Sequence, residues 1–165
     1  RNLLRRAGRE LTIEKGRTLL PDHEAIIRGI LDLRPLAPGT RQIYTRIPRY
    51  LAHSPASLVF SAWTEDRRLA AFAIGEFGSL SSAFFMFSFR DPDVAPPGSA
   101  DLTLSALIEE SHARGQQLVN LGLGISPGIR FFKKKWGAEF LYPYVEVTWA
   151  PPGGGRFHGS ESCIL

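Results

Sequence analysis

Residues Gln117 to Gly137 collect the side chains that anion chemistry uses: Asn120, then Gly122, Gly124 and Gly128, then Arg130, Lys133, Lys134 and Lys135. The apolar run Leu118, Val119 and Leu121 suits a buried strand, and the glycines after it let the backbone turn sharply or approach a ligand. The next segment then offers helix N-terminal amides to an anion. Lysines at a helix start can bind phosphate, although lysines on helix surfaces are also common. Consecutive lysines point in different directions around a helix, so only part of the run can face a site. Ile129, Phe132 and Trp136 recur at spacings of three and four, which predicts an apolar face turned to a core.

Removing a proton from a nucleophile needs an acceptor. Glu76 stands between Ile74 and Phe77, and burial at a sheet edge would raise its pKa into the range of a general base. A solvated strand-end glutamate is the plain alternative. Tyr142 and Tyr144 follow the basic segment as fallback acids, although tyrosines flanking Pro143 commonly just pack. The run Ala95-Pro96-Pro97-Gly98-Ser99-Ala100 precedes a helical pattern, and small residues at a helix start let backbone amides reach phosphates. Pro96 and Pro97 donate no amide, and read alone the run is an ordinary loop and cap. The four histidines are scattered without metal-ligand spacing, so no metal is expected and His112 is expected at the surface.

The elements that must position these groups follow from periodicity. Glu10 to Lys15 alternates as a first strand, and Pro21-Asp22 opens a helix through Ile26, Ile27, Ile30 and Leu31. After the loop Pro35 to Gly39 a second helix carries Ile43, Tyr44 and Ile47, is kinked or restarted by Pro48, and ends near Ser54-Pro55. Ser57 to Thr64, Arg68 to Phe77 and Ser82 to Phe89 read as an antiparallel meander, separated by Glu65-Asp66-Arg67 and by Gly78-Ser79. From Gly98 a helix runs through Leu104, Leu107, Ile108 and Ser111 to a stop at Gly115. The glycine-lysine segment follows, then a strand over Tyr144 to Trp149. Residues 151–165 are rich in proline and glycine and are expected to be a disordered tail behind a single domain over residues 1–150.

The chain has 165 residues, 44% hydrophobic, enough for one substantial core. The net charge of +4 favours anionic partners, among them phosphorylated cofactors and RNA, and equally serves solubility. Cys163 is the one cysteine, so no internal disulfide forms, which fits a reducing compartment or indifference to redox, and a cytoplasmic setting is expected. It sits one place too late for a prenylation signal. No apolar stretch is long enough for a membrane span. Arg1 in place of a methionine is what a fragment would show.

Strand, two helices, three antiparallel strands, helix, strand, helix, strand makes an α/β protein with a mixed, mostly antiparallel central sheet flanked by helices. In this order the chain resembles the acyl-CoA N-acyltransferase (GNAT) superfamily. The run Ala95 to Ala100 resembles its pyrophosphate loop, Q/R-x-x-G-x-G/A, with Gly98 and Ala100 at the small positions and Ala95 where the family has Gln or Arg. The run Gly128 to Gly137 resembles the G-x-x-x-F-K-x-x-[WF]-G segment of Fem-type aminoacyltransferases and lysyl-phosphatidylglycerol synthase catalytic domains. Where ordinary acetyltransferases of the superfamily carry a tyrosine acid, this chain has Lys133.

The resemblance implies an acyltransferase that moves an acyl group, acetyl in the first instance, from an acyl-CoA to the amine of a small molecule or peptide. Gly98, Ser99 and Ala100 would hold the pyrophosphate and Phe89 would line the pantetheine. Asn120, Gly122 and Gly128 would complete the cofactor side, with Lys133, Glu76 and Tyr142 as catalytic groups. A Fem-type use of aminoacyl-tRNA and a non-catalytic domain binding acyl-CoA or a partner are the alternatives. The spacing G-x-G-x-x-x-G over Gly122 to Gly128 is reminiscent of a dinucleotide fingerprint, but no further βαβ unit with a ribose-binding acid follows.

Overall fold

Strands covered on both faces read as unbroken apolar runs, and Ser57–Thr64 and Leu69–Glu76 are buried at every position but their last. In the computed structural model, residues 2–124 and 126–139 are described in full and residues 142–145 and 161–164 by their backbone. The elements in chain order are α1 (Asn2–Glu10), β1 (Leu11–Gly16), α2 (Pro21–Leu33), α3 (Pro38–His53), β2 (Ser57–Thr64), β3 (Leu69–Glu76) and β4 (Ser82–Arg90). They continue as α4 (Ser99–Ala113), β5 (Leu118–Asn120), α5 (Pro127–Lys135), β6 (Tyr142–Val145) and β7 (Glu161–Ile164). The chain divides into two units, Arg1–Val119 and Asn120–Leu165.

A five-stranded sheet runs in the order β1-β2-β3-β4-β5, antiparallel from β1 through β4. The expected meander is therefore present, with Phe72 opposite Phe89 and Glu76 opposite Phe84. Alternate residues of a strand point to opposite faces. Val59, Trp63, Phe72, Ile74 and Phe89 meet Ile27 of α2 and Ile47 and Leu51 of α3 in one core. Ala62, Ala70 and Ala71 meet Ala7 of α1 and Leu11 in another, and α4 packs on β2, β3 and β4. The register shifts between Ile74 and Gly75, where a Cβ on Gly75 would lie 2.6 Å from a methyl of Leu107. That glycine lets α4 approach the sheet.

Several elements differ from expectation. The arginine-rich start is the helix α1, and Glu10 is its last residue rather than the first of a strand. Its arginines stay exposed while Ala7 is fully buried, so one small side chain anchors a segment whose composition reads as solvated. Pro48 lies inside the single helix α3 and does not divide it. Of the run expected as a buried strand, Leu118 is 60% exposed and only Leu121 is buried, because β5 is short and is the last strand of the sheet. In the second unit β6 pairs antiparallel with β7, Tyr142 opposite Ile164, so a strand lies within the stretch expected to be a tail. Residues 146–149 and 151–160 lie outside the described residues.

Candidate active site

A cavity of about 650 Å³ opens in the first unit where α2, the β2–β3 turn and the end of β4 converge. Phe89 and Ala100, both expected on the cofactor side, line it. Phe89 is also a core residue, stacked on Phe72 at 5.0 Å and edge-on to Tyr44 at 5.1 Å. Gly98 precedes α4 with φ at 96°, a conformation that favours glycine. A Cβ there would lie 2.6 Å from the Leu3 carbonyl oxygen and 3.3 Å from the Ala7 Cβ, because α1 is seated against the loop. Ser99 is buried and directs both its hydroxyl, at 2.5 Å, and its amide, at 3.2 Å, to the Pro96 carbonyl. Of the expected pyrophosphate residues, Ala100 is thus the one that lines open space. Ala95, expected at the Gln or Arg place of a pyrophosphate loop, is half-buried against the cluster that contains Ala7.

Glu76 lies at the other end of β3 from the cavity-lining Leu69. Three hydroxyls converge on its Oε2: Tyr50 at 2.5 Å, Ser54 at 2.6 Å and Ser57 at 2.6 Å. The Gly78 amide donates to Oε1 at 3.1 Å. Burial pushes the Glu76 carboxyl upward, yet these donors outweigh it and hold the group below its ordinary value. The expectation of a raised pKa is corrected: hydrogen bonds to the charged form overcome desolvation. The network ties α3 and the start of β2 to β3.

His23 was not a candidate on sequence grounds and is 1% exposed. Its Nδ1 accepts the Leu20 amide at 3.0 Å, so Nε2 carries the proton and donates to Ser61 Oγ at 2.7 Å. Burial holds its pKa below the ordinary value, and the imidazole is neutral. The legible signal was its place in the first turn of α2, where a side-chain acceptor caps the helix N-terminus.

In the second unit Ser126 caps α5 by accepting the Ile129 amide at 3.3 Å. Lys133 is 5% exposed and its Nζ donates to the Leu123 carbonyl at 2.6 Å. One turn earlier, Arg130 Nε donates to the Gly124 carbonyl at 2.7 Å. Burial lowers the Lys133 pKa to about 8. Of the face expected in a core, Phe132 and Trp136 are half-buried and Ile129 is 37% exposed, while of the cations on α5 Lys133 is buried and Arg130, Lys134 and Lys135 are exposed. Asn120 Oδ1 accepts the Gly122 amide at 2.8 Å, and a Cβ on Gly128 would meet open space. Tyr142 lies on β6, where only the backbone is described.

Among the described residues no group of His, Cys, Asp and Glu is placed to hold a metal, and no helix is long and apolar enough to cross a membrane.

No protein-family model and no curated protein matches the sequence. The structure does match solved ones. An acetyltransferase of Trypanosoma brucei aligns at 16% identity over 90% of this chain and 99% of its own, with a TM-score of 0.58. A GNAT family acetyltransferase of Elizabethkingia anophelis with acetyl-CoA bound aligns at 14% over 81% and 79%, TM-score 0.57. A ribosomal-protein-alanine N-acetyltransferase of Brucella melitensis aligns at 13% over 85% and 99%, TM-score 0.60. The five-stranded sheet flanked by helices matches the fold of these solved GNAT acetyltransferases.

Proposed function

We propose that the chain is an acyltransferase that moves an acyl group, acetyl in the simplest case, from an acyl-CoA to an amine. The observation that carries this reading is the junction after β4. The strand runs through Phe89 into a loop that ends at Gly98, Ser99 and Ala100 then open α4, and Phe89 and Ala100 line a cavity of about 650 Å³. Small residues at a helix start suit a pyrophosphate, and the fold is one in which a solved structure holds acetyl-CoA.

The amine nitrogen attacks the thioester carbonyl to give a tetrahedral intermediate. The C–S bond then breaks, the amide remains, and CoA leaves as the thiolate, which takes up the proton lost by the amine. A positioned base or a chain of water must carry that proton. Glu76 is not assigned to the step, because its acceptor positions are filled by Tyr50, Ser54, Ser57 and Gly78.

The same commitment of Glu76 favours, as a second reading, a domain that binds acyl-CoA without turning it over. Titration of the chain with acetyl-CoA, a longer acyl-CoA and CoA, together with thiol release in the presence of an amine panel, separates the two. Saturable binding with release is expected, and binding without release for any amine establishes the second reading. The likeness of Gly128 to Gly137 to Fem-type enzymes supports a third reading, with aminoacyl-tRNA as the donor. Salt-sensitive tRNA binding with no CoA binding would replace the acyl-CoA reading by that one.

A further inference from the structure

The cavity beside β4 collects charge of both signs. Arg34 comes from the end of α2, Arg67 and Arg68 from the β2–β3 turn, and Arg90 from the end of β4. Arg67 is already held: it is paired to Glu14 at 2.5 Å, lies 4.9 Å over the Trp63 ring, and is the one non-glycine residue with positive φ among the described residues. Arg34, Arg68 and Arg90 have no side-chain hydrogen bond or ion pair among the described residues. Asp22, Asp91 and Asp93 line the same cavity, and Asp91 accepts the Asp93 amide at 2.8 Å. Between the charges the wall is apolar, with Ile26, Ile30 and Leu69.

Partnerless guanidiniums suit a carboxylate or phosphate, and carboxylates in the same space suit an ammonium. A simple amine would leave the arginines uncompensated, and a simple acid would face the aspartates. We propose that this cavity binds a zwitterion, an amine that also carries a carboxylate or phosphate, and that such a compound is the acyl acceptor. The second half of this statement rests on the acyltransferase reading; the first does not.

The test titrates the whole chain with O-phosphoserine and glutamate as zwitterions, cadaverine as an amine without an acid, and glutarate as an acid without an amine. The same titrations are made on Arg68→Ala/Arg90→Ala, whose replaced side chains are exposed and partnerless, so that the fold is kept. Saturable binding of a zwitterion is expected, weakened about tenfold or more in the variant and about tenfold or more weaker for cadaverine and glutarate. The proposal is overturned if neither zwitterion binds, if cadaverine or glutarate binds as well, or if the variant binds the zwitterion unchanged. It is equally overturned if the variant loses only acetyl-CoA binding, which would give the arginines to the phosphates of CoA. Zwitterion binding by a protein that binds no acyl-CoA would keep the site and end the acyltransferase reading.

Discussion

Lys133 Nζ lies 2.6 Å from the carbonyl oxygen of Leu123, ten residues earlier, and thereby closes the glycine loop onto the helix that follows it. Arg130 makes the neighbouring closure to Gly124. The two cations act on successive carbonyls from successive turns of α5, a structural use of residues whose types also suit anion chemistry.

This position of Lys133 sets a pH dependence. Its folded pKa, about 8, is below the ordinary 10.5 of a lysine, so between these values the unfolded chain binds more protons and stability rises with pH. Below about pH 8 the cost of burying the ammonium is fully present. Denaturant unfolding from pH 7 to 10 should show this rise in the native chain and a flatter curve in Lys133→Met. Parallel curves would mean that the ammonium is solvated.

Glu76 behaves in the opposite sense. Its folded pKa is depressed, so its contribution is present above the ordinary carboxyl value and is lost as pH falls through the folded one. Glu76→Gln, which places a donor among three hydroxyls and an amide, should cost about 1–3 kcal/mol at neutral pH and reduce the acid sensitivity of unfolding. A stability unchanged from the native chain, with turnover abolished, would return Glu76 to the role of base.

Gly98→Ala meets two obstacles, a positive φ and the Leu3 carbonyl. Thermal unfolding should register a loss of about 1–3 kcal/mol, because the clash is with backbone. A variant as stable as the native chain would show that α1 readily leaves the loop.

The meander, α2, α3 and α4 were legible because their periodicity and turn residues agree with how they pack. Gly98 before α4 and Gly115 after it mark that helix in sequence and in structure. The helix α1 was not legible, since its burial rests on Ala7 and its contact with α4 is made some ninety residues away in sequence, as in Gly98 against Leu3. The environment of Glu76 was hidden for the same reason: its donors Tyr50, Ser54 and Ser57 come from α3 and the start of β2, and no local pattern announces that they meet. Lys133 was singled out by the resemblance, at the place of a tyrosine acid, and its partner here, a main-chain carbonyl, leaves no trace in residue types.

The seating of α1 on Ala95 and Gly98 makes the loop's spelling a property of the chain's beginning. A motif written for residues 95–100 scores the missing Gln or Arg as decay of a phosphate site, whereas here Ala95 packs on a cluster that includes Ala7, and Ala7 lies beside Gly98. In homologues, a long side chain at the position of Ala95 should accompany loss or displacement of this helix. Inheritance would then couple the two ends of the first unit more tightly than the loop's own sequence suggests.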